Sequence, residues 1–138
     1  MTIKEIQEEI IDEFSMFDDW MERYEYIIDL GKSLPLIDSQ HKIDANLIKG
    51  CQSKVWLHSE LKEDTLVFTA DSDAILTKGI VALLLRVFSD QKAEDILAAD
   101  TSFIDQIGLK EHLSPTRANG LVSMLKQIKM YAIALQGK

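Results

Sequence analysis

The fold is decided by residues 55–88, which read VWLHSELKEDTLVFTADSDAILTKGIVALLLRVF. Apolar residues recur at every second position, at Val55 and Leu57 and again at Leu66, Phe68 and Ala70, which is the two-residue period of strands with one buried face. The polar segment 62–64 lies between them and is typical of a hairpin turn. We therefore predict an antiparallel β-hairpin.

A buried helix is predicted directly after the hairpin, over residues 74–88, because this stretch is apolar on nearly all sides. The side chains of Asp71, Ser72 and Asp73 offer oxygens that could cap its first turn. Gly79 lies inside the helix, where glycine costs about 1 kcal/mol relative to alanine. We expect it there because another backbone packs close to it.

Two helices are predicted before the hairpin. Apolar residues at steps of three, four and seven mark one face over 3–17, and acidic residues fill the other face. A second helix follows, capped by Ser15 followed by Asp18, with Gly31 as its stop signal. A short third strand around 46–48 is a further expectation.

Helices are also predicted after residue 92. Short ones are expected at 93–98 and 101–107. The last begins at Ser114-Pro115, an N-cap serine followed by proline at the first helical position, and closes at Gly137. Helices flanking a small antiparallel sheet make an α+β fold, and we expect residues 1–138 to form one domain.

The net negative charge is concentrated in the N-terminal 30 residues. The net charge is −8, and residues 1–30 hold ten acidic and two basic residues, which account for all of it. An acidic surface repels phosphate backbones, so no nucleic-acid partner is expected. The acidic residues form either a solvated face or a docking face for a basic partner.

The start of the chain has no apolar targeting segment. The most apolar stretch, 79–88, is interrupted by Arg86 and has about half the length needed to span a bilayer. We therefore predict a cytoplasmic protein without membrane association.

Cys51 is the chain's single cysteine, which excludes an internal disulfide and a site made only of cysteines. It follows Gly50 in a turn-like segment just before the first strand. Lys49 and Lys54 lie close in sequence, and positive charge favours the nucleophilic thiolate. Cys51 is therefore either a reactive thiol or a small buried apolar residue.

The histidines give little support to the hypothesis that the chain is a cysteine–histidine enzyme. A cysteine–histidine enzyme needs an imidazole within hydrogen-bond reach of the thiol, and nothing places His58 there. His41 and His112 lie in polar surroundings and are expected to be solvated. No spacing matches a zinc motif, so no metal site is predicted. The alternatives left open are a cysteine-dependent enzyme and an interaction module with a structural cysteine.

Arg117 lies in the first turn of the last predicted helix. A cation near the positive end of a helix is slightly unfavourable. Arg117 is therefore either an ordinary surface residue or part of a site for an anion or a partner carboxylate.

Three segments together resemble the SufE family of sulfur-acceptor proteins. Gly50-Cys51-Gln52-Ser53 before Val55-Trp56 is similar to the family's cysteine motif. Residues 71–74 with Lys78-Gly79 resemble its central helix, and residues 113–117 with Gly120 resemble the start of its last helix.

The resemblance implies a SufE/IscU-like α+β fold and a role in sulfur transfer. Cys51 would take sulfur as a persulfide from a pyridoxal-phosphate-dependent, SufS-like cysteine desulfurase, stimulate that enzyme, and pass sulfur to an iron–sulfur scaffold. Gly50, Gln52, Ser53 and Arg117 would support Cys51 or bind the partner. With one cysteine the chain resembles a carrier rather than a scaffold or a self-standing enzyme, and no cofactor of its own is expected.

Overall fold

The computed structural model describes residues 1–136, and within them an α+β fold is built around a two-stranded antiparallel sheet. The strands are β1 (Val55–Lys62) and β2 (Thr65–Ser72), and the helices are α1 (Ile3–Ser15), α2 (Trp20–Leu30), α3 (Ile75–Phe88), α4 (Ala93–Ala98), α5 (Phe103–Gln106) and α6 (Pro115–Leu135). The predicted fold class is confirmed.

The predicted antiparallel hairpin is confirmed, and its pairing covers the full length of both strands. Val55 pairs with Ser72 at one end and Lys62 with Thr65 at the other. The turn uses Glu63 at a φ of 58°, in the left-handed region that tight hairpin turns require. On the inner face of the sheet the apolar side chains of both strands are buried in the core.

Loop 34–48 covers both edges and the outer face of the hairpin. Leu36 forms a parallel bridge with Ala70 of β2, and Leu47 forms an antiparallel bridge with Trp56 of β1. The predicted third strand around 46–48 is wrong, because Asp44–Asn46 forms a 3₁₀ turn and only this single bridge follows it. Single bridges at both edges still protect the strands from pairing with another chain.

The central helix α3 is confirmed, with ten of its fourteen residues buried. The predicted cap is wrong, because β2 extends through Ser72 and the N-cap is Ala74, without a side-chain hydrogen bond. The carboxylate of Asp73 instead accepts a hydrogen bond from the backbone N–H of Lys54, at 3.0 Å.

The close approach expected at Gly79 is confirmed. A Cβ placed on Gly79 would lie 2.1 Å from the carbonyl oxygen of Ile27, which belongs to α2. The absence of a side chain at this position lets α2 and α3 pack backbone against backbone.

The two N-terminal helices are present, with caps that differ from those predicted. Thr2 and Glu5 form a capping box at the start of α1. Asp19, rather than the predicted pair of Ser15 and Asp18, caps α2, and Gly31 follows its last residue as predicted. The acidic face of α1 is partly neutralised by the core helix, since the α3 residue Arg86 binds both Glu9 and Glu13.

The C-terminal helices are also confirmed, although α5 is shorter than predicted. Ser114 caps α6 and Pro115 is its first residue. The predicted stop at Gly137 lies outside the described residues. Within residues 1–136, no helix is both long and apolar enough to cross a bilayer.

Candidate functional site

Cys51 lies in the short loop that leads into β1. The backbone N–H of Ile48 donates to the carbonyl oxygen of Val55 at 2.8 Å, which holds the two ends of this loop together. The hydrogen bond between Lys54 and Asp73 ties the loop to the start of α3. Cys51 is thus carried by a closed loop between the sheet and α3.

Gly50 is required at its position for two reasons. Its φ is +93°, and a Cβ there would lie 2.7 Å from the hydroxyl oxygen of Ser123 on α6. Side chains rarely adopt this backbone conformation. The residue therefore lets the loop turn sharply and press against α6.

The sulfur of Cys51 faces a glycine of α6. Its Sγ atom lies 3.7 Å from the carbonyl oxygen of Gly120, to which the thiol donates a weak hydrogen bond. A Cβ on Gly120 would lie 3.4 Å from Sγ and 3.6 Å from the Cα of Cys51. Gly120 therefore leaves open the space directly beside the sulfur.

A small cavity of about 10 Å³ adjoins the thiol, which is close to the space that one water molecule needs. The lining residues come from the loop, α3 and the start of α6, and they are Cys51, Gln52, Ser53, Thr77, Ile80, Thr116, Arg117, Gly120 and Met124. The fold thus brings four of the five predicted site residues to one cavity, and Gly50 shapes the loop behind it.

Burial raises the pKa of the Cys51 thiol above its usual value, because the half-buried sulfur has lost part of its solvent. The sequence suggested the opposite direction, through Lys49 and Lys54. Both lysines are exposed, and loss of solvent is the cause that sets the direction. In the free protein the thiol is therefore held mainly in its protonated form at neutral pH.

Arg117 reaches this cavity from the exposed first turn of α6. Its backbone N–H donates to the hydroxyl oxygen of Ser114 at 3.2 Å, so the N-cap fixes the start of the helix. Arg117 therefore lines the cysteine cavity while remaining exposed to solvent.

The histidines are engaged elsewhere among the described residues. The ring of His112 stacks on Trp20 with centroids 4.0 Å apart, and that of His41 stacks on His58 at 3.8 Å. His112 is exposed, as expected, although one face of its ring is covered by Trp20, whereas His41 is only partly exposed. In the described part of the chain, no histidine lines the cavity next to Cys51.

Three lining residues lie outside all the motifs that were singled out from the sequence. Thr77 and Ile80 come from the buried helix α3, and Met124 comes from α6 one turn after Gly120. Their helical spacing is the same as that of ordinary core residues. Sequence periodicity therefore could not separate them from the core.

Comparisons with known proteins agree on one family. The SufE family, an Fe-S metabolism associated domain, matches residues 8–132. An uncharacterized SufE-like protein of Rhizobium meliloti (strain 1021) is 42% identical over 130 residues, which cover 91% of this chain and 93% of the relative. SufE-like protein 1, chloroplastic/mitochondrial, of Arabidopsis thaliana is 38% identical over 132 residues, covering 95% of this chain and 36% of that longer protein.

A solved structure has the same fold. The solution structure of a hypothetical protein from Thermus thermophilus matches with a TM-score of 0.78 over 94% of both chains, at 16% sequence identity. The arrangement of helices around the hairpin is therefore retained where little sequence identity remains.

Proposed function

This chain belongs to the SufE family, and from that premise we propose that Cys51 accepts sulfur as a persulfide from a cysteine desulfurase and passes it to an iron–sulfur cluster scaffold. Family membership places the chain in Fe–S metabolism with a role in sulfur transfer. The persulfide on Cys51, the stimulation of the desulfurase and the delivery to a scaffold are the proposal.

The observation that carries the proposal is the setting of the single cysteine. Cys51 sits on a surface loop beside a glycine, with a water-sized cavity next to its sulfur. A terminal sulfur atom is similar in size to a water molecule, so the cavity offers space for the added atom. An ordinary core cysteine would be enclosed by apolar side chains instead.

The transfer step is an exchange between a thiol and a persulfide. The Cys51 thiolate attacks the terminal sulfur of the persulfide on the desulfurase, a new S–S bond forms on Cys51, and the desulfurase cysteine leaves as a thiolate. The proton of the Cys51 thiol goes to solvent or to a base of the partner. No external oxidant or reductant is needed, and the pyridoxal phosphate that releases the sulfur belongs to the desulfurase.

Docking has to change the environment of Cys51. Exchange requires the thiolate and access to it, whereas burial raises the pKa of the thiol in the free chain. We infer that the desulfurase draws the loop away from Gly120, which removes the hydrogen-bond acceptor and exposes the sulfur. Closing of the loop afterwards shelters the persulfide during transport.

The residues around Cys51 take supporting roles in this proposal. Gln52 and Ser53 form the loop side of the cavity, and Gly50 supplies the bend that allows the loop to open and close. Arg117 stands at the rim and offers a forked guanidinium to a carboxylate of the partner.

The chain is proposed to act as a carrier and activator rather than as an enzyme by itself. A cysteine-dependent enzyme would place a histidine beside the thiol, and the lining residues within the described range supply none. We also propose that residues 1–138 form a single domain, because the helices and strands within residues 1–136 all contribute to one continuous apolar core.

An intact-mass experiment tests the carrier role. The protein is incubated with a cysteine desulfurase and L-cysteine, and a gain of about 32 Da per sulfur, reversed by a thiol reductant, is expected. The Cys51→Ser variant provides the control, since serine keeps the size of the side chain and removes the nucleophile. A mass gain on Cys51→Ser, or none on the unchanged protein, would contradict the proposal and favour an interaction module.

A further inference from the structure

Three potential metal ligands meet on the outer face of the hairpin, on the strand face opposite the buried Leu57. His58 and Glu60 are two residues apart on β1 and therefore point to the same side of the sheet. His41 comes from the 3₁₀ turn Ser39–His41 of the covering loop. The donor atoms of the three side chains all lie within 4.8 Å of one another.

The distances among these side chains are short. The Nε2 atom of His58 lies 3.3 Å from Oε1 of Glu60, and that of His41 lies 3.9 Å from the same oxygen. The two imidazole rings stack with an interplanar angle of 7°. Both Nε2 atoms are therefore turned toward one carboxylate.

A cavity of about 340 Å³ opens directly onto this group. Its lining residues come from the covering loop and from the facing positions of both strands, among them Asp38 and Gln40 from the loop and Lys62 and Thr69 from the hairpin. The charged side chains around the group are thus the carboxylates of Asp38 and Glu60 and the ammonium of Lys62. The surroundings carry net negative charge and leave room for an ion with bound water.

We propose that His41, His58 and Glu60 bind a zinc ion. Two imidazoles and one carboxylate, with a water molecule in the fourth position, form one of the established three-ligand sets for zinc. Imidazole donors favour zinc, copper, nickel and iron over magnesium or calcium. The site is separate from Cys51 and uses none of the residues that line its cavity.

The spacing of the donor atoms fits a zinc site once the two imidazole rings have rotated. Neighbouring ligands in a tetrahedral zinc site with bonds of about 2.0–2.1 Å lie roughly 3.4 Å apart, close to the 3.3 and 3.9 Å between the nitrogens and the carboxylate oxygen. Stacked rings aim their lone pairs in parallel, so the imidazoles must tilt apart to converge on one ion. Their partial exposure, 30% for His41 and 21% for His58, leaves space for this rotation.

Zinc at this position would clamp the covering loop onto the sheet. His41 belongs to the loop, whereas His58 and Glu60 belong to β1, so the ion would join two segments that lie 17 residues apart in sequence. The predicted absence of a metal site rested on local spacing alone, which cannot detect a ligand set assembled by the fold.

Titration of zinc into the Cys51→Ser variant tests the proposal, because that substitution removes the chain's competing thiol ligand. Calorimetry should give one zinc ion per chain, and zinc should raise the melting temperature, since a ligand that binds only the folded state stabilises it. Cobalt(II) in place of zinc should give visible absorption bands without a thiolate charge-transfer band.

Substitutions in the same background identify the ligands. His41→Gln and His58→Gln should each weaken zinc binding at least about 10–100-fold, the loss seen even for residues that only support a ligand. His112→Gln, which changes the third histidine, should retain the affinity. Glu60→Gln changes the most exposed of the three ligands and supplies the test if a histidine variant fails to fold.

Two outcomes would overturn the proposal. The first is the absence of one-to-one binding in Cys51→Ser, and the second is unchanged affinity in folded His58→Gln or Glu60→Gln protein. Neither result bears on sulfur transfer, since the persulfide experiment uses a different residue and a different readout.

Discussion

The thiol of Cys51 donates its hydrogen to the backbone carbonyl of Gly120, with 3.7 Å between sulfur and oxygen. A thiolate could not donate this bond and would face the negative end of the carbonyl dipole. Burial is the main reason that the pKa of Cys51 is raised, and an acceptor that favours the protonated form acts in the same direction. The last helix therefore shelters the sulfur and favours the protonated, less nucleophilic form of the thiol.

Gly120→Ala should separate stability from sulfur transfer. The added methyl group would lie 3.4 Å from the sulfur, an ordinary contact distance, and alanine stabilises a helix interior by about 0.5–1 kcal/mol over glycine. We expect an unchanged or higher melting temperature together with slower persulfide formation, because the methyl group takes the space beside Sγ. Melting curves and a time course of intact mass measure the two effects, and a wild-type transfer rate would contradict the role given to this space.

Gly79→Ala, in contrast to Gly120→Ala, should strongly destabilise the fold. Its methyl group would lie 2.1 Å from the carbonyl oxygen of Ile27, and this neighbour is backbone that cannot rotate away. The two helices would have to separate, so we expect a loss of several kcal/mol in the free energy of unfolding, toward the upper end of what single substitutions cost. Urea unfolding measures this loss, with Gly120→Ala as the matched glycine-to-alanine control. A small loss in the free energy of unfolding would mean that α2 can move away from α3 at little cost.

The alkylation of Cys51 should require a higher pH than the alkylation of a free cysteine, because the thiol is half-buried. The rate of alkylation by iodoacetamide follows the thiolate, so its midpoint should lie above the value of about 8.5 of a free cysteine, because burial raises the pKa of Cys51. The urea-unfolded chain should return to the free value and serves as the control. A folded midpoint below about 8.5 would instead indicate that Lys49 or Lys54 stabilises the thiolate.

The elements of this fold could be predicted where the determining contacts are local. The alternation at 55–58 and 66–70 sets which strand face is buried, and the serine–proline pair at 114–115 starts α6, because both signals lie within a few residues of the structure that they specify. The close approach at Gly79 could also be predicted, because glycine is costly inside a helix and its presence there indicates a neighbour too close for a side chain.

The features that were missed depend on residues far apart in sequence. Asp73 does not cap α3 because its carboxylate binds the N–H of Lys54, 19 residues away. The stacking of His41 on His58 and the burial of Cys51 by Gly120 are likewise produced by the tertiary fold. The cysteine motif located the site, but the direction of the pKa shift depends on solvent exclusion, which no local pattern records.

The ion pair between Arg86 and Glu13 should contribute stability that is lost in acid. The Nη1 atom of Arg86 lies 2.8 Å from Oε1 of Glu13, and the guanidinium lowers the pKa of this carboxyl. A carboxyl whose pKa is lower in the folded than in the unfolded chain stabilises the fold at pH values above the unfolded pKa of about 4.3. This stabilisation is lost as the pH falls through the folded pKa.

Glu13→Gln should therefore cost about 1 kcal/mol or less at neutral pH, since the pair is partly exposed, and progressively less below about pH 4. Urea unfolding at several pH values measures the difference. Glu8→Gln, an exposed carboxyl on the same helix, serves as control and should show little effect. A cost for Glu13→Gln that is independent of pH would mean that shape, rather than charge, explains it.

Arg117→Lys should lower sulfur transfer without lowering stability. Arg117 is exposed at the rim of the Cys51 cavity and lies in the first turn of a helix whose cap is made by Ser114. Lysine keeps the positive charge but lacks the planar fork that binds a carboxylate through two parallel hydrogen bonds. If that fork meets the desulfurase, the concentration needed to stimulate the enzyme should rise severalfold, while the free energy of unfolding stays within about 0.5 kcal/mol.

The measurement pairs a melting curve with desulfurase activity against carrier concentration. Lys126→Ala provides the control, because it removes an exposed cation further along the same helix and should leave both readouts unchanged. Normal melting with unchanged stimulation would make Arg117 an ordinary surface residue. A marked fall in melting temperature would show that the side chain holds α6 to the core, since exposed ion pairs alone contribute only about 0–1 kcal/mol.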